Sequence, residues 1–351
     1  MPIRLVGFSG LAVLALAAAA CGGGGSSDAG GGDGAEVQLR LGYFPNVTHA
    51  PAIIGVQAGL FAAVLGPAVD LQPSTFNSGT EVVEALFSEA LDASFIGSNP
   101  AIIGYARSNG EALRIVSGTT SGGAALVVAE GIDTPADLAG ATLATPSLGN
   151  TQDVALRAWL QEQGFETDTS GGGDVRITPQ DNGDTLAAFQ QGAIDGAWVP
   201  EPWATRLVEE GGGTVLVDEA ELWPDGKFVT THLVVATEFL DEHPAVVRDL
   251  LSGLSQAVDQ ANGDPLAAQQ VVNDGIEAVT TSRLSDATIA GAWERLEFTL
   301  DPIATSLQGS ADDAVAVGLL EPVDLAQPGI YDLDLLNEVL ATRRDGKVSP
   351  L

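Results

Sequence analysis

The stretch AIDGAWVPEPW, residues 193–203, has a counterpart earlier in the chain, ALDASFIGSNP, residues 90–100. Both run through a small residue, an aliphatic residue, Asp, two small residues, an aromatic residue and a β-branched residue, and then reach a polar turn with proline. Asp92 and Asp195 occupy equivalent places in the two stretches. A buried strand that leads into a turn explains each stretch alone, but its recurrence indicates a repeated structural unit.

The repeat extends to the segments that precede each stretch. Residues 38–61, QLRLGYFPNVTHAPAIIGVQAGLF, and residues 142–165, TLATPSLGNTQDVALRAWLQEQGF, both predict a strand, a polar loop and a helix that ends near Gly-Phe or Gly-Leu-Phe. A second strand and helix follow in each copy before the repeated stretch closes the unit. The order βαβαβ predicts a parallel sheet. We therefore predict an α/β protein with two similarly wound lobes.

The length and the net charge of the chain limit the classes of function that it can have. The 351 residues suffice for two domains of ordinary size. With 14 basic and 47 acidic residues the net charge is -33, which repels phosphate backbones and excludes nucleic acid as a partner. The acidity indicates a solvated surface rather than a functional field.

The N-terminus predicts export. Residues 1–20 carry Arg4 and then the apolar run LAVLALAAAA, which is too short to span a bilayer, before the only cysteine, Cys21. This segment resembles a bacterial lipoprotein signal, in which the cysteine is acylated; the alternative is a plain signal peptide with a chance cysteine. Residues 21–36 are rich in Gly and Ser and predict a flexible tether. We expect an extracytoplasmic protein, anchored to the cell membrane by lipid.

The rest of the chain predicts how the lobes are divided. We assign residues 37–128 to the first lobe, 129–232 to the second, and 233–351 to the first again, as a helical C-terminal region. GAALVV and HLVVAT, which begin at Gly123 and His232, are β-rich and predict two strands that cross between the lobes as a hinge.

Polar loops where strands lead into helices are the candidate binding site. Ligands of open α/β sheets bind beyond the carboxyl ends of the strands, and helix N-termini there offer free N–H groups and about half a positive charge. Ordinary helix capping is the alternative for each loop. The candidates are Asn46, Thr48 and His49; Ser78, Gly79 and Thr80; Ser98 and Asn99; and Asn150 and Thr151.

Further candidates come from the second lobe and the hinge. Glu201 lies between two prolines and Trp203 follows, so this turn can present a carboxylate and an indole N–H to a ligand. A rigid turn with Trp203 partly buried is the alternative. Two further segments complete the set of candidates. One is Gln180, followed by Asp181 and Asn182, and the other is Ser121, preceded by Thr119 and Thr120. Carboxylates on one side of the cleft and helix starts on the other would suit a zwitterion.

No cofactor or metal site is predicted. The chain has three histidines, without metal-ligand spacing, although His232 could face the cleft opposite His49. It contains no G-x-S-x-G, H-E-x-x-H or phosphate-loop motif, so we predict a protein that is not an enzyme.

The serial motifs resemble a known family. LRLGYFPNVTHAPAIIGVQAGLF, FNSGTEVVEAL, ALDASFIGSNPAI, TPADLAGATLATPSLGNTQDVALRAWL and GAIDGAWVPEPWATRLV are similar to the substrate-binding lipoproteins of nitrate, taurine and aliphatic-sulfonate ABC importers. The resemblance implies a type II periplasmic-binding-protein fold, two lobes joined by two hinge strands with the ligand between them. It implies capture of a small anionic or zwitterionic solute, with a membrane permease and an ATPase as partners of a monomer.

Two alternatives remain open from the sequence. The same fold hosts enzymes, among them a thiamine-pyrimidine synthase, which would need a cysteine-rich motif that this chain lacks. A lipid-anchored sensor that reports its ligand without transport would use the same lobe closure, and no sequence feature distinguishes it from an importer component.

Overall fold

The computed structural model describes residues 37–327 and 329–350. The predicted signal segment, Cys21 and the tether to residue 36 lie outside this part of the chain. No helix within the described residues combines the length and apolar character that crossing a membrane requires.

Eleven strands and thirteen α-helices are assigned in the described residues. The strands are β1 Val37–Tyr43, β2 Val69–Thr75, β3 Ala93–Ile96, β4 Leu113–Gly122, β5 Ala124–Val128, β6 Thr142–Thr145, β7 Arg176–Pro179, β8 Gly196–Pro200, β9 Thr214–Asp218, β10 Val229–Ala236 and β11 Leu296–Phe298. The helices are α1 Ala50–Gln57, α2 Leu60–Leu65, α3 Gly79–Phe87, α4 Ser98–Arg107, α5 Thr151–Glu162, α6 Asn182–Gln190, α7 Trp203–Glu209, α8 Thr237–Glu242, α9 Pro244–Gly263, α10 Pro265–Thr280, α11 Asp286–Glu294, α12 Ala304–Ala316 and α13 Asp334–Arg343.

The strands form two sheets with the same winding. The first has the order β11-β4-β10-β3-β1-β2 and the second the order β7-β6-β8-β5-β9. In each, three strands of one repeat are parallel (β2-β1-β3 and β7-β6-β8), and an antiparallel strand, β10 or β5, pairs beside the third. The predicted α/β class with two similarly wound lobes is confirmed.

The repeated aspartates explain why the same short stretch occurs twice. The Asp92 carboxylate accepts a hydrogen bond from the backbone N–H of Arg40 at 2.7 Å, and the Asp195 carboxylate accepts one from the N–H of Thr142 at 2.7 Å. Each aspartate therefore joins the start of the third strand of its lobe to the first strand. A backbone N–H at the end of a strand ladder needs an acceptor, which the aspartate supplies in each lobe.

The predicted hinge strands do not cross between the lobes. β5 pairs along its length with β8 and β9 of the second sheet, whereas β10 pairs with β3 and β4 of the first. The chain changes sheets at Gly122–Gly123 and again between Asp218 and Val229. The predicted lobe boundaries at 128/129 and 232/233 therefore move to these two places. Gly122 and Gly123 have φ of 80° and 74°, a left-handed conformation that glycine adopts without strain.

The C-terminal helices complete the core of the first lobe. α9 packs on α1, α2 and α13, and it buries Val247, Leu250 and Leu251 against a cluster that includes Leu39 and Phe61. Val246, at the edge of this face, is half-buried. Burying one such side chain stabilises a fold by about 1.5–3 kcal/mol, which holds the tail to this lobe.

A buried carboxyl anchors the second crossing between the lobes. Glu219 is 1% exposed, and its Oε2 accepts a hydrogen bond from Trp198 Nε1 at 2.7 Å. Burial raises the pKa of Glu219 to about 7, and the nearby carboxylates of Asp218 and Asp313 add to this. The folded state therefore keeps a proton that the unfolded state releases near pH 4.5, and stability falls as pH rises from about 4.5 to 7.

Replacing Glu219 by Gln is expected to remove this pH dependence. The amide carbonyl can still accept from Trp198, and no charge has to be buried. We expect Glu219→Gln to stabilise the protein by about 1–3 kcal/mol at pH 8 and to have little effect at pH 4.5. Thermal unfolding at the two pH values, with Glu221→Gln on the exposed side of the same turn as control, measures this. An equal shift at both pH values would contradict it.

Candidate functional site

Four of the predicted loops meet in a small cavity between the lobes. The cavity has a volume of about 40 Å³. Of the predicted residues, it is lined by Asn46, Thr48, His49, Gly79, Asn150 and Thr151. The remaining lining residues are Phe44, Gly97, Pro100, Gln152, Pro200, Thr230 and Thr231. We call this the inner cavity.

Helix starts from both lobes point at the inner cavity. α3 begins at Gly79 and α4 follows Gly97, while α5 begins at Thr151, and a 3-10 turn at Val47 leads into α1. Ser78 and Asn150 cap α3 and α5 by accepting from the N–H groups of Glu81 and Asp153. None of the described residues that line the cavity is Asp, Glu, Lys or Arg. Helix N-termini without a competing carboxylate favour an anion.

His49 is a neutral hydrogen-bond donor to this cavity. Its ring is buried and stacks on Phe44 with a centroid distance of 4.4 Å, and its Nδ1 accepts from the Phe44 N–H at 3.3 Å. Burial lowers the pKa of His49 to about 3, so the imidazole is neutral at physiological pH. Because Nδ1 is the acceptor, the proton lies on Nε2. His49 therefore has a neutral imidazole N–H to offer at this cavity, and not an ionised ring.

A larger outer chamber opens beside the inner cavity. It measures about 320 Å³ and shares Phe44 and Asn46 with the inner cavity. The second lobe contributes Asp181, Asn182, Gly183, Asp184, Pro202, Trp203 and Arg206, and the C-terminal region contributes Ile276, Thr280, Ser282 and Leu284. Pro45, Phe76 and Asn77 complete the lining. The indole N–H of Trp203 donates to Asn46 Oδ1 at 3.1 Å, which joins the two lobes across the cleft.

Comparisons with known proteins agree with this two-lobed arrangement. Residues 32–275 match a family described as the NMT1-like family. The chain belongs to the NMT1-like family. This confirms the resemblance found in the sequence motifs.

Relatives of this NMT1-like protein include proteins named for binding taurine and for binding nitrate or nitrite. It is 30% identical over 198 residues to the taurine-binding periplasmic protein of Escherichia coli K12, a match that covers 56% of this chain and 59% of that protein. It is 31% identical over 123 residues to the nitrate/nitrite binding protein NrtA of Synechococcus elongatus, covering 34% of this chain and 26% of that protein. The chain thus covers less than two thirds of each relative.

Solved structures share the fold of this NMT1-like protein. The alkanesulfonate-binding protein SsuA from Xanthomonas axonopodis pv. citri, bound to MOPS, superposes with a TM-score of 0.69 at 20% identity and covers 83% of this chain and 97% of that one. The periplasmic nitrate-binding protein NrtA from Synechocystis PCC 6803 gives a TM-score of 0.70 at 16% identity, covering 88% and 89%. The predicted periplasmic-binding-protein fold is confirmed.

Several predicted site residues of the NMT1-like chain have other structural partners. Ser98 Oγ donates to the Val229 carbonyl at 2.8 Å, and Asn99 Nδ2 donates to the Ser310 carbonyl at 2.9 Å, so both join elements of the first lobe. The other residues that do not line the cavities are Ser78, which caps α3, Thr80, which is exposed, Ser121, which is buried in β4, and Gln180, which is half-buried just before the outer chamber.

The carboxylate of Glu201 also faces away from the cavities. Its side chain is buried, Oε2 accepts from the Thr205 N–H at 3.1 Å, and Oε1 lies 3.4 Å from Nε of Arg295. Burial raises the pKa of Glu201, and these two partners oppose the shift. In this structure the carboxylate is held by an amide of α7 and by the guanidinium of Arg295, and a ligand contact of Glu201 stays a prediction. Asp181 and Asp184 are the carboxylates left at the outer chamber.

His232 does not face the cleft either. It is buried in β10 with Nε2 3.3 Å from the carbonyl of Pro302, and burial lowers its pKa to about 4. The strand that carries it contributes Thr230 and Thr231 to the inner cavity instead. The pairing of β10 with β4 is irregular between Val229 and Thr231 and between Thr231 and His232, so side chains do not alternate strictly there and the alternation rule could not place His232.

Other lining residues were missed in the sequence. Arg206 lies one helical turn after Trp203, and its guanidinium stacks on the indole at 4.6 Å, so helical spacing was a usable signal. Glu210 pairs with it at 2.6 Å, which reduces its free charge. Ile276 and Leu284 reach the chamber only through the packing of α10 on the first lobe, and nothing in their local sequence indicates a site.

Proposed function

We propose that this protein is the extracytoplasmic solute-binding component of an ABC importer. It captures a small anionic or zwitterionic organic solute of the sulfonate or taurine type between its lobes and delivers it to a membrane permease coupled to an ATPase. The observation that carries the proposal is the inner cavity, where helix starts from both lobes converge and no ionised side chain competes.

The sizes of the two spaces support an organic anion. The inner cavity, about 40 Å³, fits a compact charged head group, and the outer chamber, about 320 Å³, has room for the remainder of the molecule. The chamber's carboxylates, Asp181 and Asp184, suit a solute that also carries an amine. Nitrate would occupy the inner cavity alone and leave the outer chamber unused.

The connections between the lobes support binding by closure. The chain passes between the sheets only at Gly122–Gly123 and at the segment before Val229 in the described residues. Across the cleft, Trp203 donates to Asn46, and a Cβ on Gly97 would come within 2.6 Å of the Thr151 hydroxyl. Such contacts form when lobes swing together around a ligand.

The location and assembly follow from the same proposal. The signal segment and Cys21 support export and a lipid anchor, and the periplasmic relatives support an extracytoplasmic site. The protein acts as a monomer. Mass spectrometry of the mature N-terminus tests the anchor, since a diacylated cysteine adds a mass that a simple signal cleavage does not.

A thermal-shift screen of the purified protein tests the function. Taurine, ethanesulfonate, nitrate and bicarbonate are each added in excess, and a bound solute stabilises the folded state by about 2.7 kcal/mol at a hundredfold excess over Kd. We expect the sulfonates to raise the melting temperature most. Silence from every anion would overturn the proposal. Recovery of unchanged solute distinguishes binding from catalysis, and growth on the solute as sole sulfur source, lost on deletion, distinguishes import from sensing.

A further inference from the structure

Apart from Pro200 of β8, the first turn of α5 and its cap form the wall that the second lobe contributes to the inner cavity. Asn150, Thr151 and Gln152 all line it. Thr151 is 5% exposed, and its hydroxyl has no hydrogen-bond partner among the described residues. The position of this turn therefore decides where a donor from the second lobe meets a solute held by the first.

One buried carboxylate, Asp153, holds the turn in place. Its Oδ1 accepts from the Thr145 hydroxyl at 2.8 Å, and its Oδ2 accepts from the Gly149 N–H at 2.9 Å. Its own N–H donates to Asn150 Oδ1 at 2.9 Å. The carboxylate and the backbone N–H of this one fully buried residue thus connect the end of β6, the loop and the helix cap.

Arg157, one helical turn later, supplies the opposite charge. Its Nε lies 3.0 Å from Asp153 Oδ2, and the two side chains are 1% and 0% exposed. Its Nη1 donates to the Asp168 carbonyl at 2.7 Å, which ties the turn to the loop before β7. The low dielectric of a protein interior screens a buried charge weakly. An unpaired Asp153 would therefore repel an anion in the adjoining cavity.

We propose that Asp153 and Arg157 are positioning residues of the inner cavity. The carboxylate fixes the turn from Gly149 to Thr151, and the guanidinium cancels its charge, so the second lobe offers donors without repelling the solute. The effect on anion affinity rests on the proposed function. The fixing of the turn does not, and it can be measured without any ligand.

Hydrogen exchange of the ligand-free full chain tests the fixing of the turn. We compare wild type, Arg157→Gln, Arg157→Lys and the control Arg176→Gln, which removes an exposed arginine of the same lobe. In Arg157→Gln the amides of Gly149 to Gln152 are expected to exchange about tenfold faster or more, while β8 keeps its protection. Arg157→Lys retains the charge beside Asp153, so its turn amides are expected to lose less protection. The control is expected to lose none.

Calorimetric titration with taurine and ethanesulfonate tests the charge compensation. Arg157→Gln is expected to weaken binding about tenfold or more, and Arg157→Lys is expected to stay within about threefold of wild type, because the ammonium still offsets Asp153. If the role were purely structural, the solute affinity of both variants would instead fall in proportion to their melting temperatures.

The positioning role would be overturned if hydrogen exchange of the turn amides were unchanged in Arg157→Gln. It would also be overturned if exchange were faster to the same degree throughout the second lobe. So would equal solute affinity in Arg157→Gln and wild type. If the turn loosens alone but neither sulfonate binds wild type, the fixing of the turn stands and the proposed function fails.

Discussion

Replacing Gly97 by Ala is expected to weaken solute binding by about tenfold to a hundredfold while the ligand-free protein unfolds at nearly the same temperature. A Cβ on Gly97 would lie 2.6 Å from the Thr151 hydroxyl oxygen of the other lobe, closer than real Cβ contacts come. The backbone at Gly97 has φ -72° and ψ 163°, which alanine adopts without strain. The added methyl thus costs little within its own lobe, and overpacking by about 1–3 kcal/mol arises only when the lobes meet.

Solute titration and ligand-free melting of Gly97→Ala together measure this. Gly263→Ala is the matched control, because no atom lies within 4 Å of the Cβ that it would add. Adding Thr151→Ala to Gly97→Ala removes the nearest oxygen and should recover part of the closure, although it also removes a donor. Unchanged affinity in Gly97→Ala would show that the solute is bound without this contact between the lobes.

Removing the indole of Trp203 is expected to produce the second large effect. Trp203 is half-buried, covers the outer chamber, stacks under Arg206 and donates to Asn46 of the first lobe. We expect Trp203→Ala to weaken solute binding by about 2–4 kcal/mol, as for an aromatic anchor at the centre of an interface. The ligand-free melting temperature should change less than the affinity, since the half-buried side chain only borders the core cluster of the second lobe.

Trp203→Phe divides this effect into its parts. Phenylalanine keeps an aromatic surface but has no N–H for Asn46 Oδ1, so it should lose only about 1 kcal/mol of binding. Calorimetric titration of both variants, beside ligand-free thermal unfolding, gives the two contributions. A collapse of ligand-free stability in Trp203→Ala would instead identify Trp203 as a core residue of the second lobe.

The success of the fold prediction traces to local patterns. The periodicity of α9 predicted its buried face, and the matching positions of Asp92 and Asp195 predicted matching strands, because hydrophobic period and strand-end chemistry are properties of short segments. The helix starts around Gly79 and Asn150 were found for the same reason. Each needs a cap, and the winding of parallel strands brings such starts to one edge.

The contacts that the sequence did not predict have a common physical cause, since they join residues that are distant in sequence. Glu201 has a fixed position between two prolines, but its direction depends on Arg295, which a C-terminal helix brings into contact. Asn99 reads as a helix cap and instead donates to Ser310 of α12. The composition of the strand at Ala124–Val128 suits either sheet. Its pairing with β8 and β9 places it in the second sheet.

By itself the sequence determined that this chain forms two α/β lobes of the same winding, with polar helix starts at the carboxyl ends of their strands. These features follow from periodicity, capping and repetition, which act over a few residues. Only the tertiary structure decided which starts share the inner cavity, that Glu201 pairs with Arg295 and leaves the cleft, and that Asp153 and Arg157 hold the wall of the second lobe. Those outcomes depend on burial and on charges joined across the fold, and the free energy of a buried charge is set by partners that no local pattern records.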